Sequence, residues 1–268
     1  MEVKINDIKI LREKCGASMV GCKKAMEESG GDIEKAVEIL RKKGIAKAAK
    51  RSGRETREGV IIVDVNASGN EGYILEMNSE TDFVARNEKF LGLTKAIFNL
   101  IKEKKPGGVE ELFNLNLDNG TVKENLDNLS GTIGEKLGIK RFAIITGATV
   151  AAYSHAGGRI GVLLSLNKTG ENELAKDIAM QIAAANPQYL KPEEVPAKEI
   201  EKEKEIYRAS LAKEGKPEQI IDKIIIGKLD KYFEEICLLN QEYIKDDKKK
   251  VKDILGDVEV ERFLRYSL

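Results

Sequence analysis

Apolar residues in this chain recur at the three- and four-residue spacing of one helix face in some stretches and alternate by two in others. Near the N-terminus Ile8, Leu11 and Cys15 form a stripe, with Asn6 and Asp7 ahead as caps and Gly16 behind. Ser18 opens a second helix carrying Met19, Cys22, Ala25 and Met26, stopped by Gly30 and Gly31. Asp32 opens a third with Ile33, Ala36, Val37 and Leu40, ending at Gly44. Residues 72–77 read as a half-buried strand, and 89–102 as a helix with Phe90, Leu93, Ile97, Leu100 and Ile101 on one face. A strand over 141–145, another over 161–166 and a helix over 174–185 follow. Residues 197–213 and the stretch with Ile220, Ile221, Ile224, Ile225 and Leu229 form two helices, turned at Gly215-Lys216-Pro217. A last strand spans 258–266.

The strand-turn-strand pattern occurs twice. Residues 60–78 and 149–167 match without gaps at an offset of 89: Gly69 falls on Gly158, Gly72 on Gly161, Ile74 on Leu163 and Asn78 on Asn167. After the matched asparagines the copies diverge. Asn78 to Phe90 takes 12 steps, whereas Asn167 to Leu174 takes 7. The longer connection holds Thr81-Asp82-Phe83-Val84-Ala85. One reading makes Phe83 a hydrophobic staple beneath a helix capped by Thr81 or Asp82, since burying a Phe is worth ~1.5–3 kcal/mol. The second copy passes from strand to helix without this insert, so the fold does not require it. The comparison favours a binding role for Asp82 and Phe83.

Composition narrows the chemistry. The 45 basic and 45 acidic residues balance, so no global field advertises nucleic acid or an anionic membrane. No apolar run has membrane-spanning length and the N-terminus is not signal-like. Cys15, Cys22 and Cys237 are too few and scattered for a disulfide scaffold, which fits a reducing cytoplasm. The sole histidine, His155, lies in a hairpin turn without Cys or carboxylate at ligand spacing, so neither a metal site nor a catalytic base is indicated. Gly131, Gly134 and Gly138 lack phosphate-loop spacing and a Gly-Lys-Ser/Thr, which argues against a nucleotide bound by this chain. The basic residues at 41, 42, 43, 47, 50, 51, 54 and 57 read either as a phosphate-tracking stripe or, preferred for want of interleaved aromatics, as a solvated linker helix. Cys22 reads as core filling. Ile225 and Ile226 offer more apolar surface than a two-helix seam needs, for a partner or a second copy.

Thr81-Asp82-Phe83-Val84-Ala85, Gly21-Cys22-Lys23-Lys24-Ala25 and His155-Ala156-Gly157-Gly158-Arg159-Ile160-Gly161, in this order, resemble the bacterial translation elongation factor Ts family. The likeness covers about residues 8–263. It implies an α+β fold: a ubiquitin-associated-like three-helix bundle with a basic linker over 1–55, α+β subdomains with antiparallel sheets over 56–145 and 146–196, an antiparallel coiled-coil hairpin over 197–228, and completion of the second subdomain over 229–268. It implies a cytoplasmic guanine-nucleotide exchange factor, not an enzyme, whose partner is elongation factor Tu, GDP-bound or nucleotide-free. No cofactor, metal, membrane or direct nucleic-acid contact is expected. By the resemblance Thr81, Asp82, Phe83 and Val84 would dislodge the partner's Mg²⁺. Met19, Val20, Lys23, Ile133, Gly134 and His155 would contact the partner, although Met19 also reads as filling a small core and Lys23 as a solvated surface residue. Ile133 and Gly134 read equally as a helix end packed under a sheet, and His155 as a plain surface residue. Many family members carry a further C-terminal helix; this sequence stops at Leu268, and nothing is transferred from that region. A competing reading is a non-enzymatic adaptor that docks through the N-terminal bundle.

Overall fold

The computed structural model describes residues 4–15, 17–49, 51, 53–118 and 120–268, without the side chains of Ile45 and residues 47–49. The expected stop at Gly16, the base Lys50 and the side chain of Lys47 lie outside the described residues. In order, the elements are α1 (Ile5–Cys15), α2 (Met19–Glu28), α3 (Ile33–Ala49), β1 (Glu58–Val65), β2 (Glu71–Ser79), α4 (Asp82–Ala85), α5 (Glu88–Lys104), α6 (Val109–Asn114), β3 (Asn116–Leu117), β4 (Gly120–Thr121), α7 (Val122–Ile133) and β5 (Leu137–Thr146). There follow β6 (Thr149–His155), β7 (Ile160–Leu166), α8 (Asn172–Ala185), α9 (Ala197–Lys213), α10 (Glu218–Ile236), β8 (Glu242–Tyr243), β9 (Asp246–Lys250), α11 (Val251–Leu255) and β10 (Val260–Ser267). The architecture is α+β. Two three-stranded sheets have the orders β1-β2-β5 and β6-β7-β10, each with the second strand of a hairpin in the middle. In the second sheet β7 pairs antiparallel with both neighbours.

The chain divides into one unit of Met1–Ile62, Leu75–Ala143 and Leu268, and another of Val63–Ile74 and Ile144–Ser267. In the first, α1–α3 close over Ile8, Leu11, Cys22, Ala25, Met26 and Ala36. Ser18 caps α2 by accepting from the Gly21 N–H at 3.2 Å, and Asp32 accepts from Glu34 and Lys35 at the start of α3. Two boundaries differ from expectation. Asn6 and Asp7 lie inside α1 rather than ahead of it, and α3 runs through Gly44 to Ala49. Gly44 is used for proximity, not for a stop: a Cβ on Gly131 of α7 would lie 2.6 Å from the Gly44 Cα. Here two helix backbones touch, which only glycine permits.

The basic run is solvated only in part: Lys42 and Arg57 are well exposed and pair locally with Glu38 and Glu55, whereas other members are tied to neighbouring elements. Arg41 pairs with Glu124 of α7 at 2.6 Å, and Arg51 donates to the Ser130 carbonyl at 3.2 Å. Lys43 pairs with Glu28 at 2.5 Å and Arg54 with Glu80 at 3.1 Å. Arg41, Arg51 and Arg54 thus form a seam within the first unit. Deeper in this unit α5 turns Phe90, Ile97 and Ile101, all fully buried, inward, and the Thr94 hydroxyl donates to the Phe90 carbonyl at 2.7 Å. Strand β2 is buried through Ser79, one residue beyond Asn78, which instead of opening a loop donates to the Glu58 carbonyl at 3.3 Å. Glu76, wholly buried on the same strand, is neutralised by Lys140 and Arg141 at 2.7 Å each. A buried carboxylate is tolerated only with such pairing.

In the second unit α8 covers its sheet with Ala175, Ile178, Ala179 and Ile182 packed on Val162, Leu164 and Leu166. Helices α9 and α10 pack together through Leu211, Ile221, Ile225 and Leu229. Ile225 is therefore seam, while Ile226 stays 62% exposed. At their root Glu199 accepts from both Tyr189 and Tyr232 hydroxyls, at 2.8 and 2.5 Å. Burial and that carboxylate together push the Tyr232 hydroxyl far above its ordinary range. No helix among the described residues is long and apolar enough to cross a membrane, and among them no group of three metal-ligating side chains occurs.

Candidate functional site

The segment after β2 begins with a helix-capping threonine. Thr81 has extended φ and ψ of −125° and 157°, and its hydroxyl accepts from the Val84 N–H at 3.5 Å, starting the single turn α4. Asn87 then caps α5 by accepting from the Lys89 N–H at 2.9 Å. Val84 and Ala85 are each 8% exposed. At ~100° per residue, the direction midway between those two side chains lies about 150° from that of Phe83. Burying the pair therefore turns the ring of Phe83 away from the core, and it is 83% exposed. The staple reading fails here: the ring forgoes the ~1.5–3 kcal/mol that burial would supply. Asp82, half-buried in the first turn where the helix dipole favours an anion, pairs with Arg86 at 3.1 Å.

Two carboxylates hold the turn from behind. Glu135, in the corner between α7 and β5, accepts from the Thr81 N–H at 3.0 Å and from the Thr81 hydroxyl at 2.6 Å. Glu80 accepts from the Lys136 N–H at 2.6 Å and from the Arg54 guanidinium at 3.1 Å. The Lys136 N–H and then Arg54 hold the Glu80 carboxyl below its ordinary value, against the opposing effect of burial. The corner is itself fixed, because Ser130 donates to the Glu135 carbonyl at 2.6 Å and Lys136 donates to the Arg54 carbonyl at 2.8 Å. The bonds to the Glu80 and Glu135 carboxylates are charge-assisted and belong to the strong class. Sequence reasoning missed Glu80, Glu135, Arg54 and Lys136. The available signal was adjacency: Glu80 precedes Thr81, and Glu135 follows the Ile133-Gly134 pair.

The other expected contact residues lie as follows. Gly134 closes α7 in the left-handed region, φ 93°, its N–H reaching the Ser130 carbonyl at 2.9 Å, and Ile133 beside it is half-buried. That pair thus adjoins the strap on Thr81. Met19 and Val20 open α2 at 42% and 66% exposure, and Lys23, one turn on, is exposed beside Glu27 at 3.9 Å. At helical spacing Met19 and Lys23 share a face. His155 belongs to the second unit and is exposed. It is the last residue of β6, opposite Ile160, rather than part of the turn; the turn proper holds Ala156, Gly157 and Gly158 at φ 52°, 67° and 89°. Its ring stacks on Tyr153 at 5.9 Å between centroids, and the Tyr153 hydroxyl lies 3.1 Å from Nδ1.

Against this geometry the comparisons with known proteins are consistent with one another. A family model described as Elongation factor TS matches residues 80–268. The chain is 43% identical over 284 aligned residues to Elongation factor Ts of Prosthecochloris aestuarii, covering 100% of this chain and 99% of that protein. It is 44% identical over 284 aligned residues to Elongation factor Ts of Chlorobium phaeobacteroides, with the same coverage.

Proposed function

Because this chain belongs to the elongation factor Ts family, we propose that it binds elongation factor Tu in the GDP-bound form and speeds GDP release. The reading is carried by one observation: a phenylalanine on a single, well-anchored helical turn is 83% exposed. A rigidly presented aromatic is the kind of residue that dominates binding energy at interfaces. Phe83 enters an apolar crevice of the partner. Asp82 then perturbs the groups that hold the partner's Mg²⁺, which leaves the GDP phosphates less neutralised and GDP weaker. Thr81 and Val84 act from beneath, Thr81 through its bonds to Glu135 and Val84 by packing inward. No covalent bond is made or broken, so the chain is an exchange factor rather than an enzyme, needs no cofactor, and binds neither nucleotide nor nucleic acid itself.

Met19, Val20 and Lys23 anchor the partner from the bundle, Ile133 and Gly134 from the end of α7, and His155 from the second unit. In finer terms α1–α3 are a ubiquitin-associated-like docking bundle within 1–55. Residues 56–145, and 146–196 with 229–268, are pseudo-repeated subdomains, and 197–228 are an inserted coiled-coil hairpin. The glycine pair Gly69 and Gly158, at φ 70° and 89°, supports the repeat. Exchange is coupled binding: each tenfold loss of GDP affinity needs ~1.4 kcal/mol of differential interaction, and by linkage GDP or GTP weakens this chain's hold equally. This is cytoplasmic work. Release of a fluorescent GDP analogue from elongation factor Tu should accelerate in proportion to added chain; release at the spontaneous rate would refute the function.

A further inference from the structure

The first unit holds two thiols that exchange does not use. Cys15 ends α1 and Cys22 lies in α2, with their Sγ atoms 3.9 Å apart. Cys22 is fully buried, whereas Cys15 is partly exposed and lines a cavity of about 650 Å³ together with Lys14, Ser18, Lys24 and Arg41. One sulfur is thus reachable and the other waits behind it in van der Waals range. The third cysteine, Cys237, is buried in the second unit among Val195 and Ile236. From this arrangement we propose that Cys15 and Cys22 are a modification site, a vicinal dithiol that hydrogen peroxide converts into an intramolecular disulfide and that thiol reductants reopen.

The chemistry runs in two displacements. The Cys15 thiolate attacks one peroxide oxygen, the O–O bond breaks, and the leaving oxygen departs as water once protonated, giving Cys15 sulfenic acid. The Cys22 sulfur, losing its proton, then attacks the Cys15 sulfur and displaces the hydroxyl as a second water. Two thiols are oxidised and one peroxide is reduced to two waters. Cys22 is not the first to react: burial and the adjacent Cys15 push its thiol up to about 11, so little thiolate is present near neutrality and its proximity supplies the rate. In a reducing cytoplasm such a bond is transient, the usual form of an intracellular disulfide. Closing the pair to the ~2.05 Å of a disulfide draws the end of α1 toward α2. On the docking role proposed above, the crosslink disturbs Met19, Val20 and Lys23 and weakens the grip on the partner.

The test uses the full-length chain. It is treated with graded hydrogen peroxide, free thiols are alkylated, and intact mass and crosslinked peptides are read for wild type, Cys15→Ser, Cys22→Ala and Cys237→Ser. Wild type and Cys237→Ser should lose two alkylatable thiols together, yield the 15–22 linked peptide and recover both thiols with dithiothreitol; Cys15→Ser should retain Cys22 as thiol. Cys15 advancing to sulfinic acid with Cys22 still alkylatable, or no linked peptide at any dose, overturns the proposal. These readouts need no partner, so they are separate from the exchange function. In a second arm the oxidised chain should need several-fold more protein for half-maximal GDP release, reversed by dithiothreitol; an unchanged half-saturation removes the effect on docking.

Discussion

The connection from β2 to α5 and the connection from β7 to α8 solve the same problem differently. Both leave the buried central strand of a three-stranded sheet and enter a helix, α8 packing on its sheet and α5 setting Thr94 against Met77 of β2. After β7, residues 167–171 suffice: Asn167 accepts from the Glu259 N–H at 2.8 Å, Thr149 donates to the Lys168 carbonyl at 2.6 Å, and Gly170 turns the chain at φ 84°. Every one of these bonds serves the fold. After β2, residues 80–87 add a capped helical turn whose polar bonds are as complete but whose largest side chain faces outward. The difference separates what strand-to-helix passage requires from what has been added to it. An ordered backbone that presents an exposed aromatic is pre-organised for a partner, because little ordering entropy remains to be lost on binding.

Phe83→Ala should have the largest effect. Truncating an exposed ring should shift the thermal midpoint by no more than about 2 °C, as surface substitutions lie within roughly 0.5 kcal/mol. GDP release at fixed subsaturating chain should slow on the order of 30-fold, the effect of losing a ~2 kcal/mol hot spot. Loss of stability comparable to the loss of exchange would return Phe83 to the fold. Next in size, Asp82→Ala should slow release several-fold in Mg²⁺ and clearly less after chelation. Equal slowing with and without the metal counts against any part in displacing it.

Glu135→Ala removes both acceptors from Thr81. Hydrogen exchange of the Thr81 amide should rise about tenfold, equivalent to ~1.4 kcal/mol of local stability, with GDP release slowed in step. Glu135→Gln keeps an acceptor and should restore most of both, whereas an unprotected Thr81 with full exchange activity would show the strap to be incidental. The smallest effect concerns Glu80. Its carboxyl is held below the ordinary value of 4.5, so its contribution is complete above that value and is lost as pH falls through the lower folded one. Acid unfolding curves of wild type and Glu80→Gln should converge below pH 4.5; a constant offset throughout would deny the linkage.

Periodicity made most of the fold legible. Ser18 and Asp32 read as caps because short side-chain acceptors before an apolar stripe satisfy orphan N–H groups, and α9 begins and ends where its pattern does. Gly44 misled for a physical reason: a glycine late in a helix signals a stop locally, but here it permits contact with Gly131, a residue 87 positions away that no local pattern reveals. The same non-local cause hid Glu124 and Ser130 as partners of Arg41 and Arg51, two positions of a run that otherwise reads as solvated. In the site, the repeat singled out Phe83 by subtraction. It had no means of finding Glu135, whose role is defined only by a distance of 2.6 Å across 54 residues of chain.

On this reading the Phe83 ring stands outside its own fold to be covered by another. Hydroxyl-radical footprinting read at Phe83, on the chain alone and in nucleotide-free complex with elongation factor Tu, tests it directly. The ring should be oxidised readily in the free chain and protected about tenfold or more in the complex, as expected of a residue at the dry centre of an interface. A ring already protected in the free chain, or oxidised equally in both, would contradict the account.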